Sequence, residues 1–310
     1  MSAPMDSKSF LDAKKIFKEG QEYFKKGLFE KSLEKFNTVF TRFKNEDLSE
    51  GMAEILYQIA MVHKKLGNFQ DSIINLKESL ELYHFLENED KIALILHALG
   101  LLHAEIGENE IAWRYYEEAS VLYQSTGNDN GLGAILFEIG NINLKRNELV
   151  EAWENFQQAL EYQEKNLDNK IGIAKCKYAL ALIAMKENEI TKAIDLEEEA
   201  SNIFDEIDHI DGKIKIKALR GIISLKRGDY NKSEQEIQEC MRLIAQRYIK
   251  PGINSAPPGV IEKQEEVQVL ISMGSLLVED STNIPEIGKT LNIKAFEFFE
   301  EAAILAENIK

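Results

Sequence analysis

Proline is close to absent, with five residues in 310, and only eighteen glycines add to the supply of chain-breaking positions. A turn-rich all-β protein or a low-complexity linker needs more of both, so long uninterrupted elements are expected and the chain reads as mostly helical. Cysteine is scarcer still: Cys176 and Cys240 stand far apart with no neighbour at metal-ligand or redox-motif spacing. Two cysteines make no disulfide framework, and a reducing cytoplasm fits that usage best. Long apolar runs are missing as well. The charge-free stretches, residues 92–104 (which carry His97 and His103) and 267–278, fall well short of the ~20 residues of a membrane span. The first residues, MSAPMDSKSF, have no basic segment leading into an apolar one, so no secretory signal is expected. Basic charge is outnumbered, 37 Lys and Arg against 53 Asp and Glu, for a net charge of -16. That field repels phosphate backbones and anionic lipid, which disfavours a general nucleic-acid or membrane-surface role.

What the chain has in abundance is self-similarity. Small residues recur at Gly20, Ala60, Gly100, Gly140, Ala181, Gly221 and Gly274, with gaps of 40, 40, 40, 41, 40 and 53 residues. Twelve positions after each of the first six stands a second small residue: Ser32, Ser72, Ala112, Ala152, Ala193 and Ser233. Seven further on come Val39, Ser79, Ala119, Ala159, Ala200 and Cys240. Between the first two lies Gly27, Gly67, Gly107, Asn147, Asn188 or Gly228. Gly and Asn tolerate the left-handed backbone that ends a helix just past its last turn, so each repeat is read as helix A, a tight turn and helix B. The small positions then let helices A and B approach closely. A large plug follows at Phe36, Leu76, Tyr116, Phe156 and Ile237, and Glu197 breaks the pattern, which makes repeat five the least ideal.

This pattern resembles the tetratricopeptide repeat superfamily. Repeat one carries Gly20, Tyr23, Gly27, Phe29, Ser32 and Phe36 in order, and repeat four Gly140, Asn147, Ala152, Phe156 and Ala159. The 40-residue unit, with an acidic or Asn stretch and a Gly before helix A (residues 128–131, then Asp211 and Gly212), is similar to the repeats of spindle-orientation adaptors named for their Leu-Gly-Asn motif and of kinesin light chains. The resemblance implies an all-α, right-handed superhelical solenoid of about seven helix-turn-helix units. The expected organisation is a disordered segment over 1–8, a six-repeat array over 9–245, a Pro-rich loop over 246–260, and an atypical seventh repeat over 261–310 that contains a second inserted loop at 280–289.

In this family partners usually lie along the A helices, and those positions can be read in columns. Three residues before the first small position stand Phe17, Tyr57, His97, Phe137, Tyr178 and Ala218; one residue after it, Gln21, Met61, Leu101, Asn141, Leu182 and Ile222. The wall reads as apolar and aromatic, either as a ligand surface or as packing between neighbouring helices. Five residues after the small position come Lys25, Lys65, Glu105, Lys145, Lys186 and Lys226. Adding Lys14, Lys18, Lys64, Lys175 and Lys215 against Glu54, Glu105 and Glu138 gives a local +7, ten minus three, in an acidic chain. The lysine column also suits the helix dipole. The candidate partner-binding residues are therefore Phe17, Lys25, Tyr57, Lys65, His97, Phe137, Asn141, Lys145, Tyr178, Lys186 and Lys226.

The lysine clamp by which some tetratricopeptide modules hold chaperone tails would need Lys where this chain has Phe17, Tyr57 and Tyr178. His63 and His103 stand at equivalent interior positions, expected too far apart to share a metal. No phosphate-binding loop, nucleophile elbow or zinc motif occurs, so neither a catalytic residue nor a cofactor nor a metal is expected. The expected function is a non-catalytic, cytoplasmic interaction scaffold or adaptor binding an acidic, apolar-anchored peptide. The alternatives are a tetratricopeptide-type regulator or phosphatase-like regulator, for which the dozen residues before repeat one leave no room for an extra domain, and a self-assembling structural protein, with a homodimer possible through the seventh repeat.

Overall fold

The computed structural model describes residues 7–165 and 169–249, and every element among them is a helix. Two compact units contain them. The first holds α1 (Ser7–Lys25), α2 (Phe29–Asn45), α3 (Ser49–Lys65), α4 (Phe69–Phe85), α5 (Glu89–Glu105), α6 (Asn109–Thr126), α7 (Asp129–Lys145) and α8 (Leu149–Glu164). The second holds α9 (Lys170–Lys186), α10 (Ile190–Glu206), α11 (Ile210–Lys226) and α12 (Tyr230–Ile249). Each odd helix packs on the even helix that follows it, so the six repeats are six A/B hairpins.

The turn inside each hairpin takes the form the sequence requires. Gly27, Gly67, Gly107 and Gly228 have φ of 69, 77, 86 and 77°, and Asn147 and Asn188 have 60 and 64°. The next residue's N–H reaches back five positions: Leu28 donates to the Tyr23 carbonyl at 2.9 Å, Glu108 to His103 at 2.8 Å, and Glu189 to Ala184 at 2.8 Å. This bond satisfies carbonyls that the end of an α-helix leaves open. The turns between hairpins use the same bond, from Leu48 to Phe43, Asn88 to Tyr83, Asn128 to Tyr123 and His209 to Phe204. Here the left-handed residue is Asp47, Glu87, Gly127 or Asp208, and a non-glycine side chain there costs about 1 kcal/mol. The Asn and Gly residues ahead of helix A divide the work. Asn88, Asn128 and Asn169 cap α5, α7 and α9 by accepting from the third amide at 2.9–3.2 Å, whereas Gly131 and Gly212 lie inside the first turn of the helix.

Inside each hairpin the small residues and the plug fit together. A Cβ on Gly20, Gly100 or Gly140 would stand 2.4–2.7 Å from the nearest ring carbon of Phe36, Tyr116 or Phe156, and one on Gly221 would stand 2.9 Å from Ile237. In the second repeat the first small residue is Ala60 and the plug is the smaller Leu76, both fully buried. Helix B returns the contact: Ser32, Ser72 and Ser233 donate from Oγ to the carbonyls of Gly20, Ala60 and Gly221 at 2.7–2.9 Å. A buried bond of this kind contributes about 1 kcal/mol net. Ser79 bonds the Ala53 carbonyl at 2.7 Å, and Cys240 reaches the Ile214 carbonyl at the equivalent position, 3.6 Å away.

Glu197, the acid at the fifth plug position, is buried, and Arg220 of the next hairpin meets it at 2.8 Å. Burial pushes its carboxyl above the usual range, and the arginine only partly offsets this. Two boundaries shift. Helix α1 already begins at Ser7, within the segment expected to be disordered, and α12 runs to Ile249, beyond the expected loop start at 246. The rest of the 246–260 segment, the seventh repeat and its 280–289 loop lie outside the described residues. No helix among the described residues is long and apolar enough to cross a membrane.

Candidate functional site

The ring column occupies the A helices, one ring in each of the first five hairpins, and every ring is half-buried. Each leans on its own hairpin: Phe17 packs on Phe36 with centroids 5.6 Å apart, His97 on Tyr116 at 6.0 Å, and Phe137 on Phe156 at 5.3 Å. Tyr57 packs against the core of repeats two to four, and Tyr178 against the buried cluster of Ala174, Ala200, Phe204 and Ile216. Three of the rings, Phe17, His97 and Phe137, thus pack on the plug of their own hairpin.

The lysine column has one shared address. Lys25, Lys65, Lys145, Lys186 and Lys226 are each the last residue of an A helix, as is Glu105 in repeat three. A cation there complements the helix dipole by ~0.3–1 kcal/mol. Lys25, Lys145, Lys186 and Lys226 are exposed and make no ion pair among the described residues. The +7 count, by contrast, does not act as one field. Lys64 is offset by Glu105 at 3.2 Å, and Glu54 is met by Lys91 at 2.8 Å, from a position outside the counted columns. These two pairs run in opposite directions between α3 and α5 and tie the second and third hairpins together.

Glu54 gathers further bonds. It also accepts from Gln58 at 3.1 Å and from the Tyr83 hydroxyl at 3.2 Å. Burial alone would raise its carboxyl, but the bonds from Lys91, Gln58 and Tyr83 and the lysine charge hold it below the usual range. Burial and the Glu54 charge push Tyr83 upward, and burial with the same charge raises Tyr57. On α7 the Asn141 amide donates to Glu138 at 3.2 Å. His97 lies edge-on to Tyr116 and to Tyr123, and its Nε2 is buried without a hydrogen-bond partner. Burial, helped by the nearby Lys64 charge, lowers its pKa to about 4. Burial also raises Tyr123 to about 12, and Tyr116 is pushed up by burial and by the charges of Glu138 and Glu105.

The interior histidines each find a carboxylate within their own hairpin. His103 Nδ1 stands 2.6 Å from Glu108 with its ring stacked on Tyr115, and His63 Nδ1 stands 3.9 Å from Asp71. Among the described residues no group of three or more metal-ligating side chains comes together. The sequence reading missed Lys91, Gln58 and Arg220. Position 91 could have been flagged, because a lysine there replaces the glycine that the first turns of α3, α7, α9 and α11 carry at Gly51, Gly131, Gly172 and Gly212.

Residues 51–125 match the tetratricopeptide repeat family. No curated protein matches the sequence. Among solved structures, the apo form of RapI superposes with a TM-score of 0.75 at 14% identity, covering 96% of this chain and 99% of that one. The Rap conjugation gene regulator of plasmid pLS20, in complex with the Phr* peptide, gives 0.72 at 14% identity, covering 98% and 79%. Aspartyl phosphate phosphatase F from Bacillus subtilis gives 0.78 at 12% identity, covering 96% and 70%. Identities this low speak for the fold alone. With the repeat match in the centre and the hairpin with its left-handed turn recurring six times among the described residues, the chain has the all-α helix-hairpin fold of tetratricopeptide repeats.

Proposed function

We propose that the protein is a non-catalytic interaction scaffold that holds an extended or helical peptide segment against the exposed faces of its A helices. In each unit, half-buried rings would supply apolar anchoring area: Phe17, Tyr57, His97 and Phe137 in the first, Tyr178 in the second. The lysines at the helix ends would choose an acidic partner, because complementary potential sets encounter rate and register more than affinity. The observation that carries this reading is the set of four exposed, unpaired lysines, Lys25, Lys145, Lys186 and Lys226, in a chain of net charge -16. The pLS20 regulator, a structural neighbour, was solved with a peptide bound, which supports a peptide as the ligand class.

The test is a selection from a displayed library of random peptides. Acidic sequences with apolar anchors should be enriched, and reversing Lys145, Lys186 and Lys226 to Glu should weaken binding several-fold. Affinity should fall as salt rises through about 0.1 M, where charges about 10 Å apart are screened. Enrichment without charge bias, or an affinity indifferent to both changes, would remove the acidic partner. A second reading, a phosphatase-like regulator, is favoured by the likeness to aspartyl phosphate phosphatase F. Release of phosphate from an aspartyl-phosphorylated protein would establish it.

A further inference from the structure

Helix α1 departs from its siblings on one face. Each inner A helix of the first unit turns one side toward the B helix before it: Ile55, Ile95 and Ile135 are buried there, as are Val62, Leu102 and Ile142 two turns on. Gly51 and Gly131 belong to the same side, where a Cβ would stand 2.6 Å from the ring of Phe43 on α2 or of Tyr123 on α6. On α1 these register positions hold Leu11, Lys15 and Glu22, and all three are exposed. Leu11 is 64% exposed and its neighbour Phe10 49%. Beside them Lys14, Lys18 and Lys26 are exposed and make no ion pair among the described residues. Residues 11, 14, 15 and 18 follow at three- and four-residue steps, so they form one stripe over two turns.

The outermost unit of a repeat array needs a polar face for solubility, and either sign of charge supplies one. The sign found here is opposite to that of the chain. Residues 7–45 carry ten Lys and Arg against five Asp and Glu, a net +5, whereas residues 46–165 carry eight against twenty-two, a net -14. Solubility also gives no reason for Phe10 and Leu11 to stand in the open. We infer that this face of α1 docks a helix of a partner protein, amphipathic and acidic, in the place that a B helix takes against α3, α5 and α7. Its apolar side chains cover Phe10 and Leu11, and its carboxylates meet Lys14, Lys15 and Lys18. A helix has the fitting shape, because the same side of every inner A helix of this unit packs on a helix. An anionic membrane fits less well: Ala13, Ile16, Phe17 and Phe24 of α1 are packed into the cluster around Phe36, so no continuous apolar face is left for the acyl boundary. The site uses neither Phe17 nor the lysines at the helix ends, and it goes beyond the peptide reading.

The experiment is a selection on the full chain from a displayed library of amphipathic helices with both faces randomised, followed by fluorescence anisotropy of the labelled winners. Acidic helices with apolar anchors should be enriched. Lys14→Glu combined with Lys18→Glu should weaken them about ten-fold, and Leu11→Ser about three-fold, while both variants keep the wild-type solubility and unfolding midpoint. Reversing Lys145, Lys186 and Lys226 to Glu should leave these helices within about two-fold of wild type, since those side chains share no partner with α1. The inference is overturned if no helix is selected, if the selected helices carry no acidic bias, or if the α1 variants bind them as well as wild type. Helices lost only on reversal of Lys145, Lys186 and Lys226 would keep the peptide reading and remove this one; helices lost only on the α1 reversal would keep this one, whatever becomes of the peptide reading. Two other occupants have their own readouts. A dimer of the unliganded chain in sedimentation velocity that the α1 reversal dissolves would give the face to a second copy. Cosedimentation with vesicles of phosphatidylserine and phosphatidylcholine, lost in the same variant, would give it to lipid, and either result overturns the partner helix.

Discussion

Gly140→Ala puts two opposing effects in one residue. In an open helix the change would stabilise by about 1 kcal/mol, because glycine is the poorer helix former. Position 140 is not open: the new Cβ would stand 2.7 Å from Phe156 Cε1 and 2.8 Å from Cδ1, so the ring must retreat by roughly 0.7 Å to reach ordinary contact. Overpacking of that kind costs about 1–3 kcal/mol, which leaves a net loss of about 1 kcal/mol. Phe156→Leu alone loses packing worth about 1 kcal/mol. Together the two changes rebuild the Ala60 and Leu76 pairing that repeat two already uses, so the double variant should cost less than the sum of the singles by about 1–2 kcal/mol. Urea unfolding of the full chain supplies the totals. Amide hydrogen exchange in α7 and α8 supplies the local value, since a repeat array need not unfold in one step. Additivity within about 0.5 kcal/mol would refute the glycine-under-plug account.

Two titrations should pull stability in opposite directions. Glu197 has a raised folded pKa, so the folded state binds more protons than the unfolded chain just above pH 4.5; its contribution is fullest at acid pH and is lost as pH rises. Arg220→Ala should steepen that loss and Glu197→Gln should remove it, as read from unfolding midpoints between pH 4.5 and 7. His97 is the reverse case. Its folded pKa of about 4 lies below the ordinary imidazole value of 6.5, so the stability it contributes is complete above pH 6.5 and is lost as pH falls through about 4. His97→Phe should flatten the acid limb of the stability curve, and an unchanged limb would place the acid sensitivity elsewhere.

Much of the scaffold was readable because it follows local rules. The six turn residues were identified as left-handed since only Gly and Asn recur there, and Gly100 and Gly140 were readable as close approaches because a ring stands sixteen residues on. The turns between hairpins were hidden, since Asp47, Glu87 and Asp208 hold left-handed backbone without the glycine that would announce it. Glu197 was visible as an exception, but its partner was not, because Arg220 belongs to another hairpin. The electrostatics of the A-helix face were the least legible. Counting columns treats Lys64 and Glu54 as free charges, whereas side-chain reach lets Glu105 and Lys91 neutralise them from the adjacent helix.

The central claim is that partners are held by the A helices. It is tested most directly by hydrogen–deuterium exchange of the full chain with and without a selected peptide. The account predicts added protection in odd-numbered helices, with α5 and α7 foremost, and in the helix-end segments at Lys145, Lys186 and Lys226. Protection confined to the even-numbered helices, with the odd ones unchanged, would contradict it.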